Sequence, residues 1–96
     1  MGFQAELKML SIADGAKKDP MSLSIGDEFD IWWTSDPDDL ASTWTFWVKI
    51  LDVTGDNIYL TEVNFRAQGS PVEKLTPGRV LVLYQGNYLI ARCVIL

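Results

Sequence analysis

The sequence predicts an all-β fold: a small antiparallel barrel of five or six strands, SH3-like or OB-like, with at most one short helical turn. Three observations lead there. Apolar and polar residues alternate with a two-residue period through several separate stretches, Gly, Asn, Asp and Pro punctuate those stretches, and no segment makes a convincing crossover helix. With 96 residues, 48% of them hydrophobic, the chain has enough apolar surface for one core and no room for a second. A single domain spanning 1–96 is expected, with 21–96 as the barrel and 1–20 as an additional strand or arm.

Phe3, Ala5, Leu7 and Met9 alternate with Gln4, Glu6 and Lys8, the pattern of a strand with one buried face. A helical stripe through Phe3, Leu7 and Leu10 is the rival reading, and strand is preferred. Asp14-Gly15 and Asp19-Pro20 bound a polar connection. A second strand is expected at 28–35, with Phe29, Ile31 and Trp33 on one face and Asp30, Trp32 and Thr34 on the other. Pro37, flanked by Asp36, Asp38 and Asp39, ends it and leaves space for one helical turn.

Residues 43–53 are rich in aromatic and β-branched side chains and form the most secure strand, with Trp44, Phe46, Val48 and Ile50 on one face. Gly55-Asp56-Asn57 turns the chain back into a partner strand at 58–66. A loop follows at 67–78. Strands at 80–84 and 88–95, joined through Gln85-Gly86-Asn87, make the closing hairpin, in which Arg92 is the lone charge. Leu89, Ala91, Cys93 and Ile95 give it one apolar face, while Tyr88, Ile90 and Val94 keep the other largely apolar. That composition calls for the middle of a barrel or the inside of a subunit interface.

Several function classes fall away on composition. Without histidine and with one cysteine, the chain cannot assemble Ser-His, Cys-His or histidine-based zinc sites, and no Gly-rich phosphate loop precedes a helix. Asp27, Glu28, Asp30, Asp36, Asp38 and Asp39 offer carboxylates for acid–base work, but in loops or at a strand start rather than in a cleft. No enzyme activity, catalytic residue or cofactor is expected. Asp36, Asp38 and Asp39 suggest an oxygen-rich cation loop, yet the spacing lacks the later Gly and distant Glu of an EF-hand, so a solvated turn is favoured and no metal is expected. Cys93 lies in an apolar stretch and reads as a small buried hydrophobe, with Arg92 on the opposite face.

No apolar run is long enough for a membrane helix, and the first residues lack the continuous hydrophobic region of a signal peptide, so a chain without membrane association and in the cytoplasm, or associated with a virion, is expected. The net charge is −5, and its distribution is uneven: residues 1–39 hold nine acidic and three basic side chains, residues 40–96 four and five.

Trp32 and Trp47 each fall on the face opposite their strand's main apolar set. Together with Tyr59 they form the candidate partner-facing aromatic patch, bordered by an acidic rim of Asp27, Asp30, Asp36, Asp38 and Asp39. Burial of the two tryptophans under the first strand or the 67–78 loop is the competing expectation. The favoured function is a non-catalytic protein-interaction or assembly module of viral or phage structural type, engaging a protein partner or copies of itself. Single-stranded nucleic-acid binding is the alternative, weakened by scattered cations at Lys49, Arg66, Lys74, Arg79 and Arg92. An acidic inhibitor imitating nucleic acid through 27–39 is a further one.

Overall fold

In a computed structural model that describes residues 2–20, 22–34, 43–86 and 88–96, each alternating stretch of the sequence is a strand. These are β1 (Phe3–Met9), β2 (Glu28–Thr34), β3 (Thr43–Gly55), β4 (Ile58–Phe65), β5 (Val80–Gln85) and β6 (Tyr88–Ile95). All neighbours pair antiparallel and close into a barrel in the order β1-β4-β3-β2-β5-β6. The expected all-β barrel is the observed one, with six strands, the larger of the two expected counts. The first strand is part of the wall, held between β4 and β6, with Leu7 opposite both Tyr59 and Cys93.

Alternation decides what fills the interior. Leu7, Phe46, Val48, Ile50, Val63, Leu81 and Leu83 all point inward and are buried. Trp33, Phe46 and Phe65 add a ring cluster, with centroids 5.6 Å apart for Trp33 and Phe65 and 5.3 Å for Phe46 and Phe65, both tilted toward the edge-to-face geometry that aromatic pairs favour. Trp44, Phe29 and Leu23 pack against this core from its margin. At one end of the barrel, Gly26 donates to the Ile50 carbonyl and Ile50 donates to that of Asp27, folding the lead-in to β2 onto β3. At the other end, Leu75 from the β4–β5 loop is a plug, 3% exposed.

One detail differs from expectation. Rather than at most one helical turn near 36–39, which lies outside the described residues, two 3-10 turns occur among the described ones, at Ile12–Asp14 and Val72–Lys74. The first is stabilised by reciprocal bonds: Ser11 N–H and Oγ both donate to Asp14 Oδ2, and Asp14 N–H donates to the Ser11 carbonyl. The second follows Pro71, whose φ of −79° presets a turn that delivers Leu75 to the core.

The closing hairpin takes the first of its two expected places, the wall of the barrel. Ala91, Cys93 and Ile95 lie inside the barrel, and β5 and β6 slip register between Leu83 (opposite Ala91) and Tyr84 (opposite Leu89). Ile90 is the extra residue of this bulge, half-buried against the core. Leu96 stays 58% exposed. The barrel covers the inward side of the hairpin, while Val80, Val82 and Tyr88 on its other side stay exposed.

Candidate binding face

The outer wall over β4, β3, β2 and β5 is a grid set by register. Asn64, Trp47 and Asp30 form one row across three strands; Thr45, Trp32 and Tyr84 form the next; Glu62, Lys49 and Glu28 form the row on the other side. Because side chains alternate, residues two apart share this outer face, which places Trp32 and Trp47 diagonally across the β2–β3 ladder. The expected aromatic pair on the outer wall is therefore present.

The two indoles have different surroundings. Trp47 is held on three sides: its Nε1–H donates to Glu28 Oε1 at 3.0 Å, the Arg66 guanidinium lies 5.8 Å from its ring centroid, and Asn64 stands directly opposite. Arg66 reaches over β3 to donate from Nε to Asp30 Oδ1 at 2.9 Å. That ion pair is about half exposed, so solvent leaves it worth roughly 0–1 kcal/mol, enough to orient side chains but not to hold the fold. Gly2, Glu28, Trp47, Glu62 and Arg66 border an open depression of about 330 Å³.

Trp32 is 47% exposed, and among the described residues its indole N–H has no hydrogen-bond partner. Neither β1 nor the β4–β5 loop removes it from solvent. It stands between Thr45 and Tyr84, beside the outward-facing Val82.

Tyr59 does not belong to this patch. The parity of β4 sends Tyr59, Thr61, Val63 and Phe65 inward and Leu60, Glu62 and Asn64 outward. Tyr59 is 3% exposed, and its phenolic oxygen accepts the Leu23 N–H at 3.2 Å. Its polar tip is satisfied inside the barrel, which is what allows a tyrosine to sit there. Glu62 and Asn64 carried the signal for this phase, since residues of their type occupy the wet side of a strand.

Of the acidic rim, Asp27 and Asp30 are both engaged within the chain. Asp27 Oδ2 accepts the Ser24 N–H at 2.8 Å and fixes the turn before β2, while Asp30 pairs with Arg66. Asp36, Asp38 and Asp39 lie outside the described residues. Three contributors to the face went unassigned at the sequence level. The parity of β5, with Leu81 and Leu83 inside, marks Tyr84 as outward. Glu28 shares parity with Asp30 and Trp32. Arg66 has no local signal, because its partner is two strands away.

Chemically, the face offers indole and phenol rings, the carboxylates of Glu28, Asp30 and Glu62, the Arg66 guanidinium and the Lys49 ammonium. The one thiol is elsewhere: Cys93 is fully buried, and that burial pushes its pKa up to about 12. Among the described residues, no group of three His, Cys, Asp or Glu side chains converges as metal ligands would, and no helix is long and apolar enough to cross a membrane.

Fold and face together define a class: a small closed all-β barrel carrying an aromatic and charged patch on one wall. No protein-family model, curated protein or solved structure matches the chain.

Proposed function

We propose that this barrel is a non-catalytic interaction module that engages a protein partner through the outer wall centred on Trp32. The single observation behind this reading is Trp32 itself. A large indole left 47% in water, beside Tyr84 and Val82, forgoes burial worth roughly 1–2 kcal/mol, and aromatics in that position are the residues that most often anchor interfaces. Trp47 has a supporting role: fixed by Glu28 and Arg66, it gives the wall a rigid centre and limits the entropy lost when a partner docks.

A foreign partner is proposed ahead of a second copy because the inward apolar side of the closing hairpin is covered by the barrel; Val80, Val82 and Tyr88 on its outer side stay exposed, and self-association is tested alongside. Association of virion type has no separate support in this geometry. The test is comparative. Immobilised wild-type protein and a Trp32→Ala variant are exposed to the same source extract, with thermal melts showing equal folding. Partners held by the wild type and lost by the variant are the expected result; equal retention by both sinks the proposal. Sedimentation at high micromolar concentration decides self-association separately.

One observation favours the nucleic-acid alternative. Lys8 and Arg92 stand directly opposite each other on β1 and β6, and Lys17 lies 4.8 Å from the centroid of the exposed Tyr88 ring, which together give a small basic and aromatic area. Asp14 pairs with Lys8 at 3.9 Å and offsets part of that charge. Perturbation of the Tyr88 ring resonances by single-stranded oligonucleotides, fading with salt, is what this reading requires.

A further inference from the structure

We infer that the segment bound at Trp32 is basic, and that it seats an arginine guanidinium on the Trp32 ring beside the Asp30 carboxylate. This deepens the proposal above and rests on its reading of the wall as a binding surface.

The chemistry is already realised once within the chain. Arg66 lies over the Trp47 ring and donates to Asp30 Oδ1, so one tryptophan and one carboxylate hold one guanidinium. Asp30 is placed to serve on both sides. It stands directly across from Trp47 and two residues before Trp32 on the same outward face. Residues two apart on a strand are separated by about 7 Å, a spacing that one guanidinium spans when it stacks on a ring and turns a donor edge toward the carboxylate. Arg66 occupies Oδ1, and among the described residues nothing donates to Oδ2.

Three further features point to a cation rather than a neutral or anionic group. The chain carries a net charge of −5, and the wall around Trp32 and Trp47 holds Glu28, Asp30 and Glu62 against Lys49 and Arg66. Glu28 adds a carboxylate in the row beyond Asp30. Of the two cations on the wall, Arg66 is committed to Asp30 and Trp47, and Lys49 stands in register between Glu28 and Glu62, so neither meets an incoming positive charge without a carboxylate beside it. An exposed indole bordered by carboxylates attracts cations through ring quadrupole and charge together, and arginine suits it better than lysine because its flat, weakly hydrated guanidinium both stacks and donates.

The experiment is an NMR titration of the nitrogen-15-labelled full chain with a capped peptide of glycine, serine and two arginines. Its control is the same peptide with citrulline, which keeps the shape and removes the charge. Saturating movement of the Trp32 indole N–H resonance is expected, with the Trp47 indole, already bonded to Glu28, moving little. The citrulline peptide should bind roughly ten-fold more weakly or worse, and raising sodium chloride should weaken the arginine peptide. Trp32→Ala should abolish the response and Asp30→Asn should reduce it several-fold.

Equal binding of the citrulline peptide, or no Trp32 response to arginine peptide at about 5 mM, where even a contact worth ~3 kcal/mol registers, overturns the inference. If Trp32 responds only to an uncharged aromatic peptide, the cation is wrong and the interaction surface stands. A response only to oligothymidine overturns both in favour of nucleic acid.

Discussion

The phenolic oxygen of Tyr59 accepts the backbone N–H of Leu23 at 3.2 Å, tying the segment that leads into β2 to the start of β4, 36 residues away in sequence. Replacing Tyr59 with Phe keeps the ring and strands that N–H. A loss of about 1 kcal/mol in urea unfolding is expected, with faster amide exchange at Leu23 than at its strand neighbours. Unchanged exchange at Leu23 would show that the bond does not restrain the segment.

Thr61 is a buried polar side chain of the barrel wall, and its hydroxyl donates to the Ala5 carbonyl at 2.8 Å between β4 and β1. Thr61→Val preserves volume and removes the donor, so it should cost about 0.5–1.5 kcal/mol. Thr61→Ala should cost more, because a cavity adds to the lost bond. Chemical denaturation of the pair separates the two contributions.

Trp47, Glu28 and Arg66 make a surface network rather than a fold determinant. A double-mutant cycle over Trp47→Phe and Glu28→Ala should give a coupling of about 0.5–1 kcal/mol, in keeping with one charge-assisted hydrogen bond at a wet surface. A coupling near zero would mean that the 3.0 Å bond is replaced by water in solution.

Cys93 supplies a pH dependence. Its folded pKa is raised by burial from an ordinary 9.0 to about 12. Below 9.0 the thiol is protonated whether the chain is folded or not, and no stability turns on it. Above that, the unfolded chain sheds a proton that the folded chain keeps, so stability falls as pH rises toward about 12. The slope attributable to Cys93 reaches at most about 1.4 kcal/mol per pH unit. Urea melts at pH 8 and 10.5 should show wild type losing more than Cys93→Ala over that interval. Thiol reagents should label Cys93 only under unfolding conditions.

Asp14 titrates with the opposite sign. Hydrogen bonds from the Ser11 N–H and hydroxyl lower its pKa below the usual 3.8, with Lys8 and Arg92 adding to the effect. The Ser11–Asp14 turn is therefore supported above that value and released as pH falls through the lowered one. Proton titration of the Ser11 amide resonance, with Asp14→Asn as reference, measures it.

Much of the architecture was legible because two-residue periodicity is a strong signal when nearly every strand has one wet face. The stretches 3–9 and 88–95 coincide with β1 and β6, and the others differ by one or two residues at an end. Phase was legible too, as at Trp32 and Trp47, where one face was plainly the apolar one. It failed at Tyr59, where an amphipathic ring was weighed by its type instead of by the parity of Glu62 and Asn64 around it. The closing hairpin left two placements open, because a strand apolar on both faces looks alike whether a partner or the barrel covers it; the barrel wall is the one observed, with Ile90 packed against the core and Val80, Val82 and Tyr88 exposed. Arg66 was beyond reach, since a side chain that passes over one strand to reach another leaves no pattern in sequence.

The wall is joined out of order, and that has a consequence during synthesis. β1 finds one neighbour in β4, after more than fifty residues, and the other in β6, after more than eighty. Until residues 88–95 leave the ribosome, β1 and β5 each present a bare row of amides and carbonyls to the cell. Pairing of this kind is slow, on the order of milliseconds to seconds in non-local β folds, and it lengthens the time in which open strand edges can meet other copies.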